Sequence, residues 1–142
     1  MSASAEFRAE LNAATKRIQQ QMRSRCVRSS NELRNAAIDV LGSAGGGRVY
    51  GVPATKRRYV ASAPGQPPAV RTGAFRNSWT PASVVSGNSY VSRIESRLNV
   101  NGYVLGELLE NGTSKMAARP HHDKIKEQAL PNIQRIYSAP YT

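Results

Sequence analysis

The chain has 142 residues, a single cysteine and a formal net charge of +11. This length favours one domain, residues 1–142, and one cysteine excludes both an intrachain disulfide and a cysteine-based zinc cluster. The sequence has no run of about 18 apolar residues and no basic-then-apolar N-terminus, so it predicts neither a membrane span nor a secretory signal. We expect a soluble, cytosolic chain whose positive charge meets an anionic partner.

The first third of the chain has the apolar period of an amphipathic helix, from Glu6 to about Leu41. Ser4 is placed to cap its start, and Gly42 lies where a helix would end. Such a helix reaches about 50 Å, so we expect it either to break or to pack against neighbours. The predicted break is at residues 29–31, where serine and asparagine compete for backbone hydrogen bonds. Its apolar positions are Phe7, Leu11, Ala14, Ile18, Met22, Cys26, Leu33, Ala37 and Leu41.

Residues 42–78 are rich in glycine, proline and basic residues, which predicts an extended loop rather than a core element. No Asp or Glu lies between Val40 and Ile94. Loops of this length are uncommon in compact domains, so we expect this one to order against another subunit; the alternative is a flexible linker. The basic residues of this acid-free span are Arg48, Lys56, Arg57, Arg58, Arg71, Arg76 and Arg93.

The region 79–111 is predicted to form a small antiparallel sheet. Strands are expected at 82–85 and 90–98 around a turn at 86–88, and Asn101-Gly102 is the best hairpin turn in the chain. Residues 103–110 fit either a strand or a short helix, and we interpret them as strand. A loop at 112–120 and a helix at 121–138, with Pro131 kinking or restarting it, complete an α+β fold.

The sequence contains no recognisable catalytic, cofactor or metal motif. His121-His122-Asp123 lacks a separated third ligand, and adjacent histidines do not easily point at one ion, so a helix start is the favoured interpretation. Glu107 and Glu110 would pair as acid and base only if their segment were helical, and no nucleophile accompanies them. We therefore expect these carboxylates to contact basic residues across an interface. We expect no enzyme activity and no cofactor.

Two segments in this order resemble tailed-bacteriophage tail-completion proteins, also called head–tail joining or neck proteins. The first, Gly65–Trp79, is a proline-rich approach to Arg71-Thr72-Gly73 followed by Phe75, Arg76 and Ser78. The second, Leu108–Pro120, contains Glu110-Asn111-Gly112-Thr113 and a basic stretch that ends in Arg-Pro, after a tyrosine at Tyr103. His121-His122-Asp123 after Arg-Pro, and Phe75 in place of leucine, depart from the family pattern.

The resemblance implies a non-enzymatic virion protein of the neck. It would form a ring, implied to have six copies, at the head-proximal end of a long tail, between the tail terminator and the head-closure (stopper) protein. Its location would be the virion, after assembly in the host cytoplasm, with no membrane contact. The other class of function left open is a small basic nucleic-acid-binding protein, supported by charge.

The residues expected at interfaces combine the basic loop with the second segment. The cations are expected to meet acidic surfaces of adjacent ring proteins, with some of the charge alternatively facing DNA phosphates in the channel. The two glycines are expected to allow turns that aim the loops, and Thr113 to bond nearby backbone. These residues are Lys56, Arg57, Arg58, Arg71, Thr72, Gly73, Arg76, Glu110, Gly112, Thr113, Lys115 and Arg119.

Overall fold

The computed structural model has the predicted α+β class, with a long N-terminal helix, short antiparallel strand pairs and a C-terminal helix. It describes residues 2–42, 47, 49–51, 56–69 and 73–142, with Tyr59 described by its backbone alone. In chain order the elements are α1 Ala3–Val40, β1 Val49–Gly51, β2 Arg58–Val60, α2 Ala74–Asn77, β3 Thr80–Ser86, β4 Ser89–Glu95, β5 Asn99–Val100, β6 Tyr103–Val104, α3 Leu105–Asn111 and α4 His122–Ser138.

Helix α1 is continuous over 38 residues, so the predicted break at residues 29–31 is wrong. Ser30 meets its hydrogen-bonding need inside the helix, because its hydroxyl donates to the carbonyl of Val27 at 2.7 Å. Ser29 and Ser30 are also buried, so tertiary packing outweighs their weak helix preference. The cap is Ser2 rather than Ser4, since the Ser2 hydroxyl accepts the Ala5 N–H at 3.3 Å.

The core lies where α4 packs antiparallel to the second half of α1. Gln128 donates to the Asp39 carboxylate at 3.0 Å, and Asn132 donates to Glu32 at 3.1 Å. These pairs place residues of increasing number in α4 beside residues of decreasing number in α1. Small side chains allow the close approach of the two helices. The buried apolar cluster contains Ala36, Ala37, Val40, Leu41, Trp79, Ile125 and Ala129.

The β3–β4 hairpin packs against the same half of α1 and confirms the predicted strands and turn, except that β4 ends at Glu95 instead of at residue 98. Its register runs from Thr80 opposite Glu95 to Ser86 opposite Ser89. The Ser92 hydroxyl donates to the carbonyl of Cys26 at 2.7 Å. The short β5–β6 hairpin turns at Asn101 and Gly102, with φ of 52° and 84°. Two positive φ values identify the predicted Asn-Gly hairpin turn.

Three predictions for the middle of the chain are corrected. Within the described residues, the region 79–111 forms two separate antiparallel ribbons, β3–β4 and β5–β6, rather than one sheet, and the expected loop 42–78 contains the β1–β2 ribbon and α2. Strand ends at Val104, and residues 105–111 are helical. In this helix Leu105 and Leu109 are one turn apart and both line the same cavity.

Helix α4 begins and ends within a residue of the predicted bounds and runs through Pro131, so a restart at Pro131 is wrong. Pro131 is exposed, and its missing N–H removes one backbone bond from the solvent side of the helix. Among the described residues, no helix combines the length and the apolar character that a bilayer span requires.

We expect overpacking of the α1–α4 contact to be costly. Ala129→Leu adds three carbons where the alanine side chain is 1% exposed, so the free energy of unfolding should fall by about 1–3 kcal/mol. The neighbouring Leu130→Ala, at a side chain that is 51% exposed, should change it by about 0.5 kcal/mol or less. Urea unfolding followed by circular dichroism measures both; equal effects would contradict this packing.

Candidate functional site

The two segments that carry the family resemblance contact each other in the folded chain. The Gly65 N–H donates to the carbonyl of Ala118 at 3.1 Å. The guanidinium of Arg119 donates through Nε to the hydroxyl of Ser62 at 2.8 Å, and Ser62 is buried. We call residues 61–69 and 73–76 the docked segment, and residues 112–120 the signature loop. The docked segment and the signature loop therefore form one structural unit, although the contacting residues lie 53 and 57 positions apart in sequence.

The signature loop is closed by its own backbone. Gly112 ends α3 with φ of 77° and ψ of 177°, a conformation available to glycine and very costly for other residues. Thr113 and Met116 exchange both backbone hydrogen bonds, at 2.8 and 3.3 Å, and the Thr113 hydroxyl accepts the Lys115 N–H at 3.2 Å. This confirms the predicted turn at Gly112 and the predicted local bond of Thr113. The loop holds Lys115 exposed at its tip.

An apolar cavity of about 580 Å³ lies between the docked segment, α3 and the signature loop. Two guanidinium groups line it. Arg119 is bonded to Ser62 and to the carbonyl of Ala117 at 2.9 Å. The Nε atom of Arg76 is buried and has no hydrogen-bond partner among the residues that the structure describes. The apolar part of the wall includes Leu41, Pro68, Phe75, Leu105, Leu109 and Met116.

Glu110 caps helix α4 from a distance. Its Oε2 atom accepts the backbone N–H of His121 at 2.7 Å and that of His122 at 3.3 Å. A carboxylate at this end of a helix meets unpaired N–H donors and the positive end of the helix dipole. The expected partner of Glu110 was a basic residue across an interface. The structure instead places its carboxylate in an intramolecular cap that joins α3 to α4.

The imidazole of His121 is fully buried beside this cap. Its Nδ1 atom lies 3.1 Å from Glu110 Oε2 and 3.0 Å from the carbonyl oxygen of Arg119. Both neighbours are acceptors, so we assign the proton to Nδ1. The ring meets Phe75 and Trp79 edge-on, with centroids 5.5 and 5.8 Å away. This aromatic cluster connects α2, the start of β3 and the start of α4.

The ionisation of the pair follows from this packing. Burial lowers the pKa of His121 below its usual value, and the Arg119 carbonyl and Glu110 only partly oppose that effect. Burial by itself would raise the pKa of Glu110, but the two backbone N–H donors of His121 and His122, with the charge of the histidines, leave that pKa below its usual value. We therefore assign a neutral His121 beside an ionised Glu110 at neutral pH.

From the sequence, adjacent histidines were not expected to point at one ion. The structure instead brings the ligand atoms of His121 and His122 together with that of Glu110. Glu110, His121 and His122 each offer a ligand atom, and these atoms lie within 4.8 Å of one another. The third group comes from eleven residues upstream, which no short motif predicts. However, Glu110 Oε2 already accepts two N–H bonds, and the N-terminus of α4 is the positive end of that helix. We interpret the group as a helix cap rather than a cation site.

The other predicted interface residues fall in three places. Lys56, Arg57 and Arg58 are exposed on or beside the β1–β2 ribbon. Gly73 has φ of 84° at the start of α2, as expected for a turn, and leads to Arg76 at the cavity. Arg71 and Thr72 lie outside the described residues. Ser62 and His121, the groups that connect the segments, could not be predicted from the sequence, because single serines and histidines carry no periodic signal.

The chain matches no protein-family model, no curated protein and no solved structure.

We expect Gly112→Ala to open the signature loop. A Cβ there would lie 2.8 Å from the backbone nitrogen of Ala118, in addition to the strain of a positive φ. The free energy of unfolding should fall by about 2 kcal/mol or more. Gly65→Ala is the matched control, since its φ is 82° and no atom lies within 4 Å of the added Cβ. It should cost about 1 kcal/mol; an equal loss in both variants would contradict the close approach.

We expect stability to fall on acidification in two steps. Because the pKa of His121 is lowered on folding, the unfolded chain binds more protons once the pH falls below about 6.5, so stability is lost there. The lowered pKa of Glu110 removes stability again as the pH falls below about 4.5. His121→Asn keeps a side-chain donor towards Glu110 and should remove only the first step. Urea midpoints from about pH 3 to pH 8 measure both steps; an unchanged first step in His121→Asn would contradict the assignment.

Proposed function

We propose that the chain is a structural protein of a bacteriophage neck. In this role it forms a ring at the head-proximal end of the tail and joins the tail to the head-closure complex. The observation that carries the proposal is the hydrogen bond from Gly65 in the first segment to Ala118 in the second, with the Arg119–Ser62 bond beside it, three residues before the first segment begins. The two segments on which the resemblance rests are joined into one unit, which is what a shared structural role requires.

The charge distribution supports a joining role. Lys56, Arg57 and Arg58 are exposed next to the docked segment, and Lys115 is exposed at the tip of the signature loop. The nearest acidic residues in sequence to the first three are Asp39 and Glu95. Such a surface is complementary to acidic proteins above or below a ring, and complementary charge speeds and orients docking.

The chemistry of the described residues supports a non-enzymatic role. The carboxylate–histidine group of Glu110, His121 and His122 caps α4, and His121 has no exposed surface. The carboxylate is held by backbone donors and the imidazole by acceptors, so neither is placed to exchange a proton with a substrate.

Nucleic-acid binding is the second candidate. The observation that favours it is the exposed cations Lys56, Arg57 and Arg58 on and beside the β1–β2 ribbon. Tyr50 is 47% exposed on the same ribbon, but the register pairs Arg58 with Gly51, so the side chains of Tyr50 and Arg58 lie on opposite faces and this candidate rests on charge. DNA bound in this way would be held by its phosphates, so binding would weaken steeply with salt and show no sequence preference.

The test is charge reversal at the exposed arginines in the phage that encodes the chain. Arg57→Glu with Arg58→Glu should give separate heads and tails and lower the yield of joined particles at least tenfold, because the acidic partner surface would meet like charge. Electron microscopy and plaque counts measure this. The control is Lys124→Glu with Lys126→Glu, which makes the same charge change at exposed sites on α4 and should leave the yield within threefold.

Normal particle yield from the arginine variant would overturn the proposal. Tight, salt-sensitive DNA binding by an isolated monomer, lost in the same variant, would favour the nucleic-acid candidate instead.

A further inference from the structure

The first half of α1 presents an apolar stripe that nothing in the described chain covers. None of residues 2–20, the described part of the chain before Gln21, is buried. Phe7, Leu11 and Ile18 are 65%, 54% and 46% exposed, and Ala14 lies between them. Their spacing of four, three and four residues is the 3.5-residue period of a helix-pairing seam. In the heptad notation, Leu11 and Ile18 are a positions, and Phe7 and Ala14 are d positions.

The same line of α1 is covered further along by α4 and the segment that follows it. Every seventh residue from Leu11 gives Ile18, Arg25, Glu32 and Asp39. Asp39 and Glu32 accept hydrogen bonds from α4, and Arg25 donates to the carbonyls of Tyr137 and Ala139 at 3.1 and 2.6 Å. Thus α4 and the residues after it cover this line of α1 from Asp39 to Arg25. Leu11 and Ile18 lie on the same line, and no described part of the chain covers them.

We propose that a second copy of this chain covers the stripe, with the two α1 helices antiparallel. The register follows from the apolar residues. If residue i faces residue 25 − i of the other copy, Phe7 faces Ile18 and Leu11 faces Ala14, so each large side chain has a partner. The contact is isologous and closes at two chains. It is therefore separate from any ring contact and does not depend on the proposed function.

Charge complementarity selects the antiparallel arrangement. In an antiparallel pair the g positions flank the seam together, so Glu10 of each copy lies beside Arg17 of the other, giving two symmetric ion pairs. In a parallel pair Glu10 would face Thr15 and Arg17 would face Met22, and neither pair is attractive. Glu10 and Arg17 are both exposed, and neither forms an ion pair within the described residues.

Steric room selects the same arrangement. From Gln21 onward the chain's own C-terminal segment occupies this face, since Gln21 is hydrogen-bonded to Thr142 at 2.9 and 3.1 Å. A parallel partner would carry its own core alongside, at the same level. In the antiparallel register, residue 21 of the partner lies level with residue 4, so the two cores lie at opposite ends of the helix pair and do not meet.

The test is a charge-swap cycle measured on the purified full chain by sedimentation equilibrium. Arg17→Glu should raise the dissociation constant of the pair about tenfold, because two attractions become two repulsions. Glu10→Arg should do the same, and the double variant should return the constant to within threefold of the original. Lys16→Glu is the matched control, since it makes the same charge change at the outward f position and should have less than a threefold effect.

Distances between labels test the direction of the helices. Ala13 and Gln20 occupy equivalent outward positions one heptad apart, and Cys26 is buried, so it is shielded from labelling reagents. Spin labels on Ala13→Cys should lie close together across the pair, whereas those on Gln20→Cys should be separated by about 22 Å along the axis. Equal distances would indicate parallel helices and overturn the proposal.

Two further outcomes would also overturn it: a monomer at 100 µM, or a dimer that survives Arg17→Glu unchanged. These measurements need no virion, so their failure is distinguishable from failure of the proposed neck function, which is judged by particle yield after reversal of Arg57 and Arg58.

Discussion

The antiparallel packing of α4 on the second half of α1 is the contact on which the rest of the structure depends. It supplies most of the buried cluster, from Ala36 and Ala37 on one helix to Ile125 and Ala129 on the other. It also fixes where α4 begins, and therefore where His121 and the signature loop lie. Elsewhere the described chain is made of two-stranded ribbons and short helices, which are only marginally stable alone. They acquire a defined position by attachment to this helix pair.

The attachment of the loops relies on polar contacts more than on apolar burial. The Glu110 carboxylate accepts hydrogen bonds from the first turn of α4. Arg119 donates a hydrogen bond to the Ser62 hydroxyl, and the Gly65 N–H donates one to the Ala118 carbonyl. A hydrogen bond has a defined direction, so these few contacts specify one arrangement of loops around an apolar cavity. The arrangement leaves the cations of the β1–β2 ribbon at the surface, while the carboxylate of Glu110 is used internally. The face that carries the β1–β2 ribbon is therefore strongly basic.

Periodic features were predictable from the sequence, and features that depend on a distant partner were not. The limits of α1 and α4, the β3–β4 hairpin and the Asn101-Gly102 turn follow from local periods and turn residues. The break predicted at residues 29–31 was wrong because the burial of Ser29 and Ser30 against other elements outweighs their local preference for non-helical backbone. Residues 105–111 fit both the helix and the strand period, so local spacing could not decide that they are helical. Of the site, Gly112 and Thr113 were predictable from turn chemistry, whereas the approach of Ser62 to Arg119 spans 57 residues.

By itself the sequence determined the α+β class, the basic character of the surface and the order of the two segments that carry the resemblance, Gly65–Trp79 and Leu108–Pro120. Each of these depends on composition or on short-range spacing. Only the tertiary structure decided that these segments contact each other, that Glu110 caps α4 with His121 buried beside it, and that the apolar stripe of α1 is covered in one half and open in the other. Each of these depends on which residues meet in space. Packing and hydrogen-bond direction select those contacts, and local patterns do not encode them.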